Sequence, residues 1–144
     1  QRENRWMSNE NHRAAKALAD YYGPNTLFVL EDLTDVRFAT EKVAKDRRYE
    51  QVSWPFYQLE QFLIYKAAAQ GSLVLKVPAD YTSQRCPQCG AINKQQRDHD
   101  HHEYRCACGF QANDDQSAAM NIQQLGNQWL TGTAKPRYTR KRTG

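Results

Sequence analysis

The chain has 144 residues, of which 40% are hydrophobic and 25% are charged. This length and composition suffice for the hydrophobic core of one ordinary globular domain, which excludes a fibrous or wholly disordered chain. No apolar run approaches the ~20 residues that span a bilayer, and the polar N-terminus does not have the pattern of a secretion signal. We therefore expect a cytoplasmic protein with no membrane partner, in a compartment where cysteines stay reduced.

The net charge of +4 is unevenly distributed, because no acidic residue follows Asp115. A basic C-terminal end of this kind predicts a polyanionic partner such as nucleic acid. The alternative is a solvated, disordered tail with no partner. The candidate nucleic-acid-binding residues are Lys135, Arg137, Arg140, Lys141 and Arg142.

The first predicted elements are a helix and a strand. Small and apolar residues recur at helical spacing over 11–22, and Gly23-Pro24 stops that helix. The almost wholly apolar run 26–33 predicts a strand buried on both faces, as in a parallel or mixed sheet. The charged segment 34–52 predicts a loop or a solvent-facing helix.

A second helix and a second strand are predicted next. The helix covers 54–71, with Pro55 in its first turn, where a missing N–H costs nothing, and Gly71 as its stop signal. The strand covers 72–80. The apolar stripe of the helix consists of Phe56, Leu59, Phe62 and Leu63.

The segment 86–110 holds all four cysteines of the chain. Cys86 and Cys89 form a C-x-x-C pair, Cys106 and Cys108 form a C-x-C pair, and 16 residues lie between the two pairs. This spacing fits a ribbon-like hairpin around one tetrahedral zinc ion, whose structural sites commonly take paired cysteines. A disulfide-bonded hairpin is the alternative, which a reducing compartment disfavours. A zinc ion with four thiolates has no open position for water, so the predicted ribbon is structural rather than catalytic.

Three of the four histidines lie between the two cysteine pairs. His99, His101 and His102 are alternative zinc ligands if the short pair cannot bring both sulfurs to the metal. They are otherwise the polar tip of a loop. The sequence around them is too polar to fold by apolar burial alone, so a metal would have to organise it.

The last predicted helix covers 113–130, and two carboxylates stand at its start. Asp114 and Asp115 there, with Glu31 and Asp32 at the end of the first strand, could hold Mg²⁺ for phosphodiester hydrolysis. The alternative is that they are turn residues and a helix cap. The side of this helix that is predicted to face the core consists of Ala118, Ala119, Ile122 and Leu125.

Five stretches taken together resemble one family: VLEDL, a helix containing YKA, VPADYTSQRCPQCG, CACGF and ANDDQSAAMNI. They are similar to the C-terminal half of transposon-encoded TnpB proteins and of the type V CRISPR effector nucleases, over most of residues 11–125. The resemblance implies an α/β chain with a partial RNase H-like (RuvC) fold and an inserted zinc ribbon. It implies a Mg²⁺-dependent endonuclease that cuts DNA, with a guide RNA held by the full-length protein.

Residue by residue, the resemblance makes Glu31 the acid of the second nuclease motif and Asp115 the acid of the third. Both would be catalytic ligands of Mg²⁺, and their neighbours Asp32 and Asp114 would be bystanders. The four cysteines match the zinc ligands of the family. Because each acid would serve one centre, we expect the carboxylates of Glu31 and Asp115 to lie close together.

Three features depart from the family pattern. The second cysteine pair is C-x-C where the family has C-x-x-C, and Ser117 stands where the family has Asn. Nothing in residues 1–30 resembles the strand that carries the first catalytic Asp. We therefore expect a fragment that is inactive, or nearly so, by itself. The alternative function is a non-catalytic zinc-ribbon module that binds nucleic acid.

These observations predict four parts along the chain. Residues 1–80 form a RuvC-like part with the second motif, and residues 81–110 form the zinc-ribbon insert. Residues 111–130 form the helix of the third motif, and residues 131–144 form the basic tail.

Overall fold

The computed structural model of the protein describes residues 2–32 and 54–140. The segment 34–52, predicted as a loop or helix, lies outside the described residues. So do two of the predicted nucleic-acid-binding residues, Lys141 and Arg142. None of the helices in the described ranges is both long enough and apolar enough to cross a membrane.

The described residues form three α-helices, one short 3₁₀ helix (Lys94–Gln96) and five strands, so the predicted α/β class is confirmed. Strands β1 and β2 form a two-stranded sheet, and β3, β4 and β5 form a separate antiparallel sheet. In chain order the elements are α1 (Arg2–Tyr22), β1 (Leu27–Asp32), α2 (Trp54–Ala69), β2 (Leu73–Pro78), β3 (Arg97–Asp98), β4 (Glu103–Arg105), β5 (Gln111–Asn113) and α3 (Asp114–Leu130).

The described chain divides into two compact units. The first contains residues 2–28 and 54–75, and the second contains residues 29–32 and 76–140. Strands β1 and β2 each begin in the first unit and end in the second. Their pairing in one sheet confirms the sequence prediction that the second apolar strand joins the first.

Helices α1 and α2 pack together to make the first unit. Ala15 and Ala19 of α1 are buried, as are Leu63 and Ala67 of α2, and small side chains allow two helices to approach closely. The helix predicted over 11–22 in fact begins nine residues earlier, at Arg2.

A buried amide explains how the longer first helix is held. Asn11 is 7% exposed, and its Nδ2 donates to the carbonyl of Pro55 and to Oε1 of Gln58, each at 2.9 Å. The predicted apolar stripe of α2 is wrong in one member, because Phe56 is 64% exposed whereas Leu63 is buried.

The side chain of Gln70 ties the end of α1 to the start of β2. Its Nε2 donates to the carbonyls of Ala19 and Gly23 at 2.9 and 2.8 Å. Ser72 adds a hydroxyl bond to the same Gly23 carbonyl at 3.1 Å. Gly23 has a φ of +74°, the left-handed conformation that ends a helix and that glycine adopts without strain.

Helix α3 presents a largely polar face to the interior of the second unit. Asp114, Ser117 and Asn121 are buried along that face, followed by Leu125 and Gly126. The predicted apolar side is therefore wrong: Leu125 is buried, but Ala119 is exposed and Ala118 and Ile122 are only half-buried. Buried polar groups need partners inside the protein, and those partners define the site described below.

Helix α3 meets β1 at a glycine. A Cβ built on Gly126 would lie 2.5 Å from Cγ2 of Val29 and 3.1 Å from its Cγ1. Those separations are below van der Waals contact, so only glycine allows this approach of helix to strand. The contact fixes α3 against the strand that ends in Glu31 and Asp32.

We predict that Gly126→Ala destabilises the protein by up to about 2 kcal/mol. Overpacking against Val29 costs about 1–3 kcal/mol, and it outweighs the gain of about 1 kcal/mol that alanine brings to a helix interior. Urea unfolding of the two proteins measures the difference. In the Val29→Ala background the same substitution should cost less, and a stabilising Gly126→Ala in the native background would contradict the packing argument.

Candidate metal centres

The four cysteines come together although 16 residues lie between the two pairs. The Sγ atoms of Cys86 and Cys108 are 3.7 Å apart, those of Cys89 and Cys106 are 3.5 Å apart, and all four sulfurs lie within 4.8 Å of one another. Tetrahedral zinc with Zn–S bonds of about 2.3 Å separates its sulfurs by about 3.8 Å. Disulfide sulfurs are about 2.05 Å apart, and all four cysteines are free thiols here. The geometry fits a zinc ion.

The first pair lies on a tight turn closed by backbone hydrogen bonds. The N–H of Cys86 donates to the carbonyl of Ala91 at 2.8 Å, and the N–H of Gly90 donates to the carbonyl of Cys86 at 2.9 Å. Gly90 has a φ of +81°, which a residue with a side chain rarely adopts.

The second pair repeats this construction with one residue fewer. The N–H of Cys106 donates to the carbonyl of Phe110 at 2.9 Å, and Gly109 donates to the carbonyl of Cys106 at 3.0 Å. Gly109 also has a positive φ, of +100°. The short C-x-C spacing therefore suffices to bring both sulfurs to the same point.

The thiols influence one another strongly. The N–H of Ala91 and the Cys106 side chain lower the pKa of Cys89 to about 7. The N–H of Phe110 favours the thiolate at Cys108, but loss of hydration and the other three thiols raise its pKa to about 12. Four thiolates at this distance repel one another, so a bound cation is what allows them all to ionise.

The three histidines of the segment lie outside the cysteine cluster within the described residues. Nδ1 of His101 is 2.8 Å from Oδ2 of Asp98, and this contact lowers the pKa of that aspartate. Nδ1 of His102 is 3.6 Å from Oδ1 of Asp114. His101 and His102 thus contact carboxylates, and four cysteines make up the zinc-fitting set.

A second group of metal-ligating side chains stands at the start of α3. Ligand atoms of His102, Asp114 and Asp115 lie within 4.8 Å of one another. The side chain of Asp114 is completely buried, whereas that of Asp115 is 80% exposed. The cap of the helix is Asn113, whose Oδ1 accepts from the N–H of Asp115 at 2.9 Å. The alternative reading of the two aspartates as the helix cap is therefore wrong.

Arg97 distinguishes the two aspartates. Its Nε donates to Oδ2 of Asp114 at 3.0 Å, and its Nη2 lies 3.7 Å from Oδ1 of Asp115. Burial alone would raise the pKa of Asp114, but the bonds from Arg97 and from the N–H of Asp115, together with nearby positive charge, hold it below the ordinary value. Asp114 is thus an internal ion-pair partner, a structural role that its position in the sequence did not reveal.

Glu31 stands near the end of β1, where the hydroxyl of Thr82 donates to its Oε1. The backbone carbonyl of Thr82 accepts from Nδ2 of Asn121 at 2.9 Å, so Glu31 is linked to α3 through one residue. At about 1.5 Å per residue, Asp115 lies about 9 Å along the helix axis from Asn121. Among the described residues, Glu31 is not part of the group formed by His102, Asp114 and Asp115.

The basic tail is partly folded onto α3. Pro136 and Tyr138 are buried, and the Tyr138 hydroxyl donates to the carbonyl of Asn121 at 2.7 Å. The guanidinium carbon of Arg85 lies 4.2 Å from the centre of the Tyr138 ring, a cation–π contact. The alternative of a solvated, disordered tail is wrong for this stretch.

The basic side chains around Tyr138 face outward. Lys135 and Arg140 are exposed, and Nε of Arg137 lies 3.5 Å from Oδ2 of Asp80. The predicted nucleic-acid-binding residues that the structure describes therefore lie on a segment that Tyr138 holds against α3.

Comparison with known proteins shows which family this chain is similar to. Residues 56–122 match the model of the Cas12f1-like TNB domain. The chain is 37% identical over 116 residues to the CRISPR-associated endodeoxyribonuclease Cas12f1 of Sulfoacidibacillus thermotolerans, which is 78% of this chain and 25% of that protein. It is 36% identical over 90 residues to the TnpB-like protein MJ0751 of Methanocaldococcus jannaschii, which is 62% of this chain and 32% of that protein. The chain is thus similar to proteins of the TnpB and type V effector family.

A solved structure gives the same result for the fold. The chain superposes on a cryo-EM structure of a Cas12f1–sgRNA–target DNA complex with a TM-score of 0.61 and 22% identity, covering 84% of this chain and 34% of that one. The sequence matches, rather than this superposition, confirm the family resemblance that the motifs predicted. The chain spans only about a quarter to a third of the length of these relatives.

We predict that Asp114→Asn destabilises the protein at neutral pH and that this difference disappears in acid. Because the folded-state pKa of Asp114 is depressed, its stabilising contribution is complete above the ordinary aspartate pKa of about 3.9 and is lost as the pH falls through the folded value. Denaturant unfolding of both proteins from pH 7 to pH 3 measures the difference.

Cysteine protonation in acid affects both proteins alike, so the difference between them isolates Asp114. In a carboxyl NMR titration, Arg97→Gln should raise the pKa of Asp114, since it removes the main partner of the charged form. A destabilisation by Asp114→Asn that persists unchanged at pH 3 would refute the ion-pair role.

Proposed function

We propose that this chain is the C-terminal part of an RNA-guided, Mg²⁺-dependent DNA endonuclease with a RuvC-like site. The observation that carries the proposal is the contrast between the two aspartates at the start of α3. Asp114 is buried and ion-paired, whereas the carboxylate that the family motif selects, Asp115, is 80% exposed. A carboxylate must be open in this way to reach both a cation and a phosphodiester.

The donor set at these positions fits magnesium. Glu31 and Asp115 offer carboxylate oxygens, the hard ligands that Mg²⁺ prefers. When bound, the ion would supply an activated water and neutralise charge on the phosphate. The chain's own contribution is to hold the two carboxylates on different elements, at the end of β1 and at the start of α3.

The proposed RuvC-like site is incomplete in the part of the chain that the structure describes. The residues before β1 form helix α1, so they include no strand on which the acid of the first motif could stand. We therefore propose that the chain is inactive, or nearly so, without the upstream part of the nuclease. Strands β1 and β2 would join a larger sheet there.

The four cysteines are proposed to bind one structural zinc ion. The cysteine segment lies between β2 and α3 in the chain. The fold of this segment therefore sets the position of the first residues of α3. The zinc would organise a segment that has few apolar groups of its own. Its role is to fix the backbone around Asp115 rather than to take part in hydrolysis.

The proposed partners are target DNA and, through the whole protein, a guide RNA. The likeness in fold to a Cas12f1 that was solved with sgRNA and target DNA supports this proposal. Base pairing with the guide would read the sequence, and the protein would contribute backbone contacts and cleavage. The proposed phosphate contacts of this chain are Lys135, Arg137, Arg140, Lys141 and Arg142.

We predict that the purified chain contains about one zinc ion and that Cys108→Ser loses it. Four thiolates make one tetrahedral site, and a missing thiolate opens it. Native mass spectrometry and metal analysis measure the content. The matched control is His101→Ala, which removes a ligand-type side chain from the same segment but not from the cysteine cluster, and should keep the zinc.

Chelation provides the second readout of the zinc proposal. Removing the metal should raise hydrogen exchange across residues 86–110 while leaving the α1–α2 pair protected, since the helices are held by their own packing. A metal-free chain with mapped disulfides among the four cysteines would refute the zinc site.

We predict Mg²⁺-dependent DNA cleavage when the chain is joined to the upstream part of the nuclease and its guide RNA. Glu31→Gln and Asp115→Asn should each reduce cleavage to background, because each removes a charged metal ligand without changing side-chain size. Asp100→Asn is the control, as it neutralises an exposed acid of the same unit. Cleavage that survives both substitutions would disprove the nuclease assignment and favour the non-catalytic binding module.

A further inference from the structure

The hydroxyl of Thr82 is a buried group that the family motifs leave unexplained. Thr82 is 2% exposed, and its Oγ1 donates to Oε1 of Glu31. The same oxygen lies 3.2 Å from the backbone carbonyl of Ala79. A hydroxyl has one proton to donate, and an ionised carboxylate is a stronger acceptor than a peptide carbonyl. The proton therefore goes to Glu31 whenever that side chain is charged.

Thr82 is held in place independently of Glu31. Nδ2 of Asn121 donates to the carbonyls of Thr82 and Arg85 at 2.9 and 2.7 Å, and Asn121 is completely buried. The guanidinium of Arg85 returns a bond to Oδ1 of Asn121 at 2.8 Å. The Tyr138 hydroxyl donates to the backbone carbonyl of Asn121 at 2.7 Å. These bonds fix the backbone from which the Thr82 hydroxyl projects.

We propose that Thr82 is a positioning residue for Glu31. A glutamate has three rotatable side-chain bonds, and a free one at a strand end samples several rotamers. A hydroxyl fixed to one carboxylate oxygen selects a single orientation and thereby directs the other oxygen. Partners of metal-ligating carboxylates act in this way, and losing one typically lowers metal affinity or activity 10- to 100-fold. The inference rests on the proposed function, in which Glu31 is a metal ligand.

The test compares two substitutions of Thr82 that separate the role of the hydroxyl from that of the methyl group. Thr82→Val keeps the side-chain shape and removes the donor, whereas Thr82→Ser keeps the donor and removes a methyl group. The matched control is Thr26→Val, because the Thr26 hydroxyl is half-buried and donates only to backbone carbonyls, those of Tyr22 and Gly23. Mn²⁺ binding to the assembled nuclease, followed by electron paramagnetic resonance, gives a readout that is independent of turnover.

We expect Thr82→Val to weaken Mn²⁺ binding and to slow cleavage, each by about 10- to 100-fold. Thr82→Ser should recover most of both, and Thr26→Val should leave both unchanged. If Thr82→Val loses its zinc or its cooperative unfolding transition, Thr82→Ala serves in the same comparison with Thr82→Ser.

Two outcomes separate the failure of this inference from the failure of the proposed function. If Glu31→Gln abolishes cleavage while Thr82→Val binds Mn²⁺ and cleaves as the native protein does, the positioning role is wrong and the nuclease assignment stands. If Glu31→Gln itself leaves cleavage unchanged, the proposed function fails first. Equal defects in Thr82→Val and Thr82→Ser would also overturn the inference, because they would trace the effect to packing.

Discussion

The buried carboxamide of Asn121 is the constraint on which the second unit depends. A buried amide that lacks partners is costly, so the chain around it must supply donors and acceptors at fixed positions. Its Nδ2 holds two backbone carbonyls and its Oδ1 accepts from Arg85. One side chain therefore attaches helix α3 to the segment that enters the first cysteine turn, and the same segment carries Thr82.

Electrostatics then separates two neighbouring carboxylates into different roles. Asp114 lies on the buried face of α3, where its charge is compensated by Arg97 and by a backbone N–H. Asp115 lies one position along, which is about 100° around the helix, and is exposed. When a helix begins with two consecutive acids, the first can thus form a buried ion pair while the second is exposed to solvent. The ion pair at Asp114 is what gives the start of α3 a defined position under Asp115.

The cysteine cluster and the tail stabilise the same region from two sides. The polar segment between the cysteine pairs has few apolar side chains. Tyr104 is an exception: it is completely buried, and its hydroxyl lies 2.6 Å from Oε1 of Gln96 and 2.9 Å from the carbonyl of Gln84, two acceptors for one proton. On the other side, Tyr138 packs against Arg85. Arg85 therefore contacts both Tyr138 of the tail and Asn121 of α3. These two contacts hold the basic side chains of the tail at a defined position relative to the helix.

The sequence by itself determined the kinds of element, the cysteine set and the family. Helix α2 and strands β1 and β2 were predictable within a few residues because their periodicity and their Gly and Pro signals are local properties of the chain. The cysteine spacing and the motif around Asp115 were sufficient to name the family, since metal ligation and the nuclease motifs restrict residue types at fixed spacings.

Only the tertiary structure decided which polar residues lie inside. The buried face of α3 was predicted from its alanines, but it consists largely of Asp114, Ser117 and Asn121. Hydrophobic periodicity detects apolar faces, whereas a buried polar face depends on partners that lie 17 to 39 positions away, such as Arg97 and the carbonyl of Thr82. The same limitation concealed the bond between Thr82 and Glu31, because a hydrogen bond across 51 positions leaves no periodic signal in the chain.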